Sequence, residues 1–336
     1  GGAPGATASE ERLWSVSSGL AQIKTQSERV FQRGAVKQMK VLLIGKNGQL
    51  GWELTRRLSA GGFVLEAVDL PEFDITRQSV VEQMVQKSAP DIIINACAYT
   101  AVVQAESDSE TAYAVNQKGP MYLAKACANR IPLVHVSTDY VFDGTQIDPY
   151  VEDDPISPLG VYGRSKALGE QAVAEALDRY LIIRTAWLCG VHGQNFVKTM
   201  LRLGKEKKSI NIVDDQVGCP TFAFDLAEAV VTMVEHYARQ QPMVWGIYHY
   251  CGKGQATWYQ FGCKVFNIAR HMTPLEIETV NPVPTEAYPT PARRPANSVM
   301  SCQKIEEKFG VKTIPWQTSL EKMLKVLLGK NDSGQS

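Results

Sequence analysis

The sequence predicts a doubly wound α/β fold built on a parallel sheet. Three observations carry that prediction. Short apolar runs rich in β-branched residues recur at 40–44, 63–68, 91–95, 133–137 and 180–184. Such runs lack polar alternation, which suits strands covered on both faces. Helical spacing fills the intervals, so strand and helix alternate along the chain. The first run also ends in Gly45-x-x-Gly48-x-x-Gly51, a glycine turn between a strand and a helix.

Taken in order, Lys40-Val41-Leu42-Leu43-Ile44 is the first strand. A helical pattern follows through Leu54 and Leu58 to Gly61-Gly62, and 63–68 returns as the second strand, closing at Asp69. A helix is expected over 78–87, a strand over 91–95, and a helix over 110–129 with Pro120 as an irregularity inside it. Strand 133–137, a helix after Tyr162 and strand 180–184 repeat the alternation. After Trp187 the pattern loosens. Helices are expected over 196–203, 225–236, 258–269 and 319–328, with a strand at 247–250. Pro282-Val283-Pro284 and the stretch 289–295 read as rigid, helix-poor loop. The expected organisation is a Rossmann-type dinucleotide-binding domain over 39–185, completed by parts of 215–250. A smaller α/β substrate lobe over 186–330 and a tail over 331–336 follow. Residues 1–38 read as an extension, Gly1-Gly2-Ala3-Pro4-Gly5 as a tag remnant and Met39 as a native start.

Bulk properties exclude several classes. The 336 residues carry no net charge, so nothing points to nucleic acid or an anionic membrane surface. No apolar run is long enough to span a bilayer. The seven cysteines are dispersed, odd in number and without a C-x-x-C pair, which fits a reduced, cytoplasmic chain with inert core thiols. The five histidines have no zinc-ligand spacing, and no metal is assigned.

The chemistry is concentrated in a few segments. Gly45, Gly48 and Gly51 permit a tight turn and let backbone N–H groups meet a pyrophosphate at the helix N-terminus. Asp69 could accept from the adenosine ribose hydroxyls, favouring NADH. Lys46 could meet a 2′-phosphate, favouring NADPH, so dual use is expected. The small residues of Asn95-Ala96-Cys97-Ala98-Tyr99-Thr100 leave room for a cofactor at a strand end. Thr138 closes the next strand, where its hydroxyl could donate to a substrate carbonyl. Tyr162 and Lys166 share a helix face, so an ammonium beside a phenol would lower the phenol pKa and make a proton donor. Such a pair alone is common on surface helices; its order after the glycine loop and Thr138 gives it meaning. Trp187 offers an aromatic face to a ligand or to the core. Arg293 and Arg294 suit a nucleotide diphosphate, with the reaching residue left open.

In this order, the glycine loop, Thr138 and Y-x-x-x-K resemble the extended short-chain dehydrogenase/reductases. The segments 45–51, Ser137-Thr138-Asp139-Tyr140-Val141-Phe142-Asp143-Gly144, Arg184-Thr185-Ala186-Trp187, 215–221 and 289–295 narrow this to the dTDP-4-dehydrorhamnose reductase family, over residues 39 to about 328. The resemblance implies reduction of the C4 ketone of dTDP-4-dehydro-β-L-rhamnose with NADPH or NADH. It implies Tyr162 as general acid, Thr138 holding the C4 oxygen, and Lys166 on the nicotinamide ribose, lowering the Tyr162 pKa. Gly48, Gln49 and Leu50 would meet the pyrophosphate. Asp69, Asp74 and Ile75 would surround the adenosine, with Ala98, Tyr99 and Thr100 along the cofactor. Thr138, Asp139 and Trp187 would meet the sugar, and Arg293 represents the arginine pair. One departure is Val103, where the family usually carries Asp. Some family members dimerise through a metal held by carboxylates. Glu53 is a surface-helix residue or such a ligand, and homodimer formation stays open. Two other readings remain: a related nucleotide-sugar reductase or epimerase, and a non-catalytic NADP-binding regulatory subunit similar to the methionine adenosyltransferase beta subunit.

Overall fold

Strand and helix alternate from Lys40 to Thr185 as the apolar runs require. A computed structural model of the chain describes residues 38–329. Apart from Gln38, the expected leader and the expected tail lie outside the described residues. The strands are β1 (Lys40–Ile44), β2 (Val64–Val68), β3 (Ile92–Asn95), β4 (Leu133–Thr138), β5 (Tyr180–Thr185) and, later in the chain, β7 (Gly246–His249). All pair in parallel, in the order β7-β5-β4-β3-β1-β2. The order reverses between β1 and β3, so the crevice at their carboxyl ends is the ligand position of doubly wound sheets.

Alternate residues of each strand enter different cores. Val41, Leu43, Ile92, Ile94, Leu181 and Ile183 pack beneath helices α1 (Gln49–Ala60) and α7 (Ala223–Ala238). Leu42, Ile44, Ile93, Leu133 and Ile182 pack on the opposite face, against α2 (Gln78–Ser88) and the helices that follow β3 and β4. Both faces being covered explains why the runs are apolar without alternation.

The expected helix over 110–129 is broken. It comprises α3 (Ser109–Tyr113), a π-helical turn at Ala114–Lys118 and α4 (Gly119–Cys127). Pro120 is the cause: it has no N–H for the Asn116 carbonyl, and its ring would strike that oxygen in an unbroken α-helix. The backbone widens instead, and Gly119 N–H reaches Ala114 O.

Beyond Thr185 a separate apolar core joins α6 (Phe196–Glu206), α8 (Trp258–Ala269) and α10 (Trp316–Leu328) around Val197, Phe261, Phe266 and Leu324. Beside it, β6 (Ser209–Val213) pairs in parallel with β8 (Thr279–Val283). The loop expected around Pro282 is therefore a strand up to Val283. A two-stranded ribbon leaves one side of each strand unpaired, and a proline tolerates that side. The short helix α9 (Gln303–Phe309) was not legible; it ends in a left-handed Gly310. No described helix is long and apolar enough to cross a membrane.

Candidate active site

The glycine loop is shaped by backbone contact. Gly45 has φ +90°, and a Cβ there would lie 2.6 Å from Cys97 N. A Cβ on Gly51 would lie 1.9 Å from Gly45 O, so α1 can approach β1 only through glycine. No side chain caps the start of α1, and its first turn holds no acidic residue. An uncapped, acid-free helix start behind a glycine cradle fits a pyrophosphate. Gly48 is exposed at that start and Leu50 is buried below it.

Gln49 is turned elsewhere. Its Oε1 accepts from Gly190 N at 2.8 Å and from Asn195 Nδ2 at 3.0 Å. His192 stacks on Trp52 and bonds Asn47 O at 2.9 Å. The segment after Trp187 thus docks on the glycine loop, which its sequence did not announce.

At the end of β2, Asp69 accepts from Asn47 N at 2.9 Å and Leu70 N at 2.8 Å, while Lys46 is ion-paired with Glu72. Asp69 therefore holds the glycine loop through its own carboxylate. Asp74 accepts from Thr76, and buried Ile75 packs on Gly119. Ala98 and Tyr99 are half-buried and Thr100 is exposed. The Asn116 side chain fixes this segment, accepting from Tyr99 N at 2.9 Å and donating to Tyr99 O at 3.0 Å. It also donates to Ser165 Oγ at 3.1 Å. Asn116 lies in the π turn; its only sequence signal was the proline four positions on.

Thr138, Tyr162 and Lys166 converge at the carboxyl end of β4. Helix α5 (Val161–Ala176) carries the last two. Two glycines let it press inward: a Cβ on Gly163 would lie 2.2 Å from Tyr140 O, and one on Gly169 2.1 Å from Asn116 O. The helix start is held by Glu106, whose Oε1 accepts from Val161 N at 2.8 Å. Glu106 also lines a cleft of about 750 Å³ with Thr100, Val103 and Arg294. Of the two arginines, Arg293 is exposed and Arg294 is half-buried on the cleft wall. Buried Ala292 and Pro295 on either side fix that alternation.

The expected lowering of the Tyr162 pKa by Lys166 is not met. Burial is the largest influence on Tyr162 and raises its pKa; Thr138 hydrogen-bonding opposes it, and Asp139 and Tyr140 add to the rise. Lys166 does not offset that burial, because its amine is engaged elsewhere. Its Nζ donates to Val136 O at 2.6 Å and lies 3.4 Å from His135 Nε2. Burial in turn pushes Lys166 down to about 8. Thr138 Oγ1 donates to Asp139 Oδ1 at 3.0 Å and accepts from Tyr140 N. Asp139 is buried, which pushes its carboxyl up to about 6 against hydrogen bonds from Ser298 and Thr138.

Trp187 has φ +47°, an uncommon backbone state for a bulky residue. Its indole stacks on Trp258 at 3.5 Å, and a Cβ on Gly218 would lie 2.5 Å from it. Trp187 is thus half of an aromatic pair, and its partner Trp258 was missed by sequence reasoning. Glu53 is buried, and no cluster of metal-ligating side chains occurs among the described residues. Cys97, Cys127 and Cys189 are pushed up to about 11, 12 and 12 by burial, as inert thiols are. Cys251 and Cys302 are free thiols 3.5 Å apart.

Known proteins resemble this chain in sequence and in fold. The family described as RmlD substrate binding domain matches residues 39–328. A dTDP-4-dehydrorhamnose reductase of Sinorhizobium fredii is 42% identical over 292 residues, 86% of this chain and 98% of that protein. One from Escherichia coli is 41% identical over 295 residues, again 86% and 98%. A crystal structure of the reductase from Bacillus anthracis, in complex with NADP, is similar with TM-score 0.78 and 38% identity, covering 85% of this chain and 98% of that one. UDP-glucose 4-epimerase from Thermus thermophilus shares the fold at 20% identity and TM-score 0.71, over 87% and 100% of the two chains. The chain belongs to the dTDP-4-dehydrorhamnose reductase family.

Proposed function

We propose that this chain reduces the C4 ketone of dTDP-4-dehydro-β-L-rhamnose to give dTDP-L-rhamnose, with NADPH or NADH. The observation that carries the reading is the convergence of Thr138 and buried Tyr162 at the strand end beside an uncapped, glycine-built helix start. The glycine cradle around Gly45, Gly48 and Gly51 would hold the cofactor's pyrophosphate, with Asp69, Asp74 and Ile75 near its adenosine and Ala98 to Thr100 along its length. Lys166 would meet the nicotinamide ribose. The bound cofactor supplies a hydride.

Reduction leaves negative charge on the C4 oxygen, and this chain must neutralise it. Burial keeps the Tyr162 phenol protonated at neutral pH. A developing alkoxide is a stronger base than a phenolate, so proton transfer from the raised phenol stays favourable. Thr138 orients the oxygen; its hydroxyl rotates between Asp139 and the substrate. Arg294 on the cleft wall suits the diphosphate of the nucleotide. Trp187, stacked on Trp258, would meet the deoxysugar with what its neighbours leave uncovered. In this reading 39–185 is the cofactor half and 186–330 mainly the substrate half. A cytoplasmic location and a homodimer belong to the same proposal.

The test is direct. Purified protein is mixed with dTDP-4-dehydro-β-L-rhamnose and each reduced nicotinamide, and loss of the reduced cofactor is followed. Cofactor consumption with formation of dTDP-L-rhamnose is expected; no consumption with either cofactor would sink the reading.

A further inference from the structure

Behind Lys166 lies a buried polar chain that the proposed reaction does not yet use. Asn95 ends β3 and is the register neighbour of His135 on β4. Its side chain has a fixed sense: Oδ1 accepts from Cys97 N at 3.1 Å. Nδ2 therefore faces His135 Nδ1, 3.1 Å away. An amide N–H can only donate, so Nδ1 must accept. A neutral imidazole carries one proton, which leaves it on Nε2. His135 is wholly buried, and burial first, then the nearby Lys166 charge, holds its pKa well below the usual value. The ring is neutral, and its Nε2–H is directed at Lys166 Nζ, 3.4 Å away.

That contact has a sign. An ammonium has only donors, so it cannot accept from an N–H. A neutral amine has a lone pair and can. The other groups facing Lys166 do not reverse this. Val136 O takes one amine hydrogen at 2.6 Å and serves either state. Glu170, one turn along α5, is held by Arg184 of β5 through both oxygens, with Nη2 at 2.8 Å. Glu170 and Cys97 still favour the charged lysine, but desolvation outweighs them. Tyr162 lies on the same face of α5, one turn earlier. No ion pair to Lys166 occurs among the described residues.

We propose that His135, fixed in one tautomer by Asn95, is a positioning residue whose ring N–H biases Lys166 toward the neutral amine. Lys166 then exchanges between amine and ammonium at a lower pH than a free lysine does. The role in turnover rests on the reductase reading; the tautomer and the lysine state do not.

The test begins with the unaltered protein bound to NADPH. Nitrogen-15 NMR of the histidines, with His135 assigned by its loss in His135→Gln, should show the proton on Nε2. A proton on Nδ1 overturns the proposal. Protein carrying lysine labelled with carbon-13 at Cε is then titrated, with Lys166 assigned by its loss in Lys166→Met. The Lys166 midpoint is expected below that of a free lysine, because the side chain is buried. Asn95→Asp supplies a carboxylate that takes an Nδ1–H and turns Nε2 into an acceptor. That change should raise the midpoint by about one pH unit and move the alkaline limb of kcat by a similar amount. A folded Asn95→Asp protein with an unmoved midpoint overturns the proposal. His135→Gln, whose amide oxygen can accept from the ammonium, should shift it the same way and replaces Asn95→Asp if that variant does not fold. Absence of any NADPH oxidation would remove the reductase reading while leaving the tautomer result standing.

Discussion

The two ends of the crevice are built from different materials. At the β1–α1 end the parts are backbone: a left-handed Gly45, a Gly51 pressed on the Gly45 carbonyl, and a helix start without a side-chain cap. At the β4–α5 end the parts are buried titratable side chains: Asp139, Tyr162, Lys166 and His135. The first end is steric, and its shape does not depend on pH. The second is electrostatic, and its behaviour depends on what faces what over a few ångströms. A reductase needs both, because binding a cofactor and moving a proton set different demands on the chain.

The comparison breaks most visibly at Tyr162. Tyr162→Phe should lower kcat by about a hundredfold to ten-thousandfold, the range of a lost general acid, and leave NADPH affinity nearly unchanged. Steady-state rates and fluorescence titration of NADPH would separate the two effects. Gly51→Ala should do the reverse. A Cβ 1.9 Å from Gly45 O forces the loop apart, so NADPH affinity should fall by about tenfold or more. If affinity holds, the glycine cradle is not the cofactor site.

Asp139 sharpens the electrostatic side. Its folded pKa of about 6 lies above the ordinary carboxyl value of 3.8, because burial penalises the charged form. The unfolded chain therefore gives up this proton first, and stability is lost as pH rises from about 4 through 6. Asp139→Asn should remove a penalty of up to about 3 kcal/mol at pH 7.5 and show no gain below pH 4. Urea melts at the two pH values would check this, and turnover should fall because Thr138 loses its charged partner. A smaller effect is expected at Lys46. Lys46→Ala frees Glu72 and should alter the NADPH to NADH ratio of kcat/KM by only about two- to fivefold, since exposed ion pairs contribute little.

Legibility followed the same division. The sheet could be read because strands covered on both faces leave continuous apolar runs, and Gly45 and Gly51 because only glycine fits their places. The convergence of Thr138, Tyr162 and Lys166 was legible from spacing and order. The direction of the Tyr162 shift was not. A sequence states that Lys166 lies one turn from Tyr162, but not that its amine turns toward Val136 and His135. His135 itself reads as an ordinary strand residue, and Asn116 as an ordinary helix residue. The lobe was harder for another reason: β6, β8 and the Trp187–Trp258 stack depend on contacts between distant segments, and local pattern does not encode them.

Glu106 has a consequence of its own. One of its oxygens holds the first N–H of the helix that carries Tyr162, and the same side chain lines the cleft together with Arg294. Cleft and helix therefore share one acceptor. A ligand group that competes for that oxygen would loosen the helix start, and by reciprocity a well-seated helix disfavours such a ligand. The cleft should favour molecules whose negative charge is drawn to Arg294 and leaves Glu106 undisturbed. Selectivity for an anionic ligand would then be enforced through the stability of a helix as well as through the arginine.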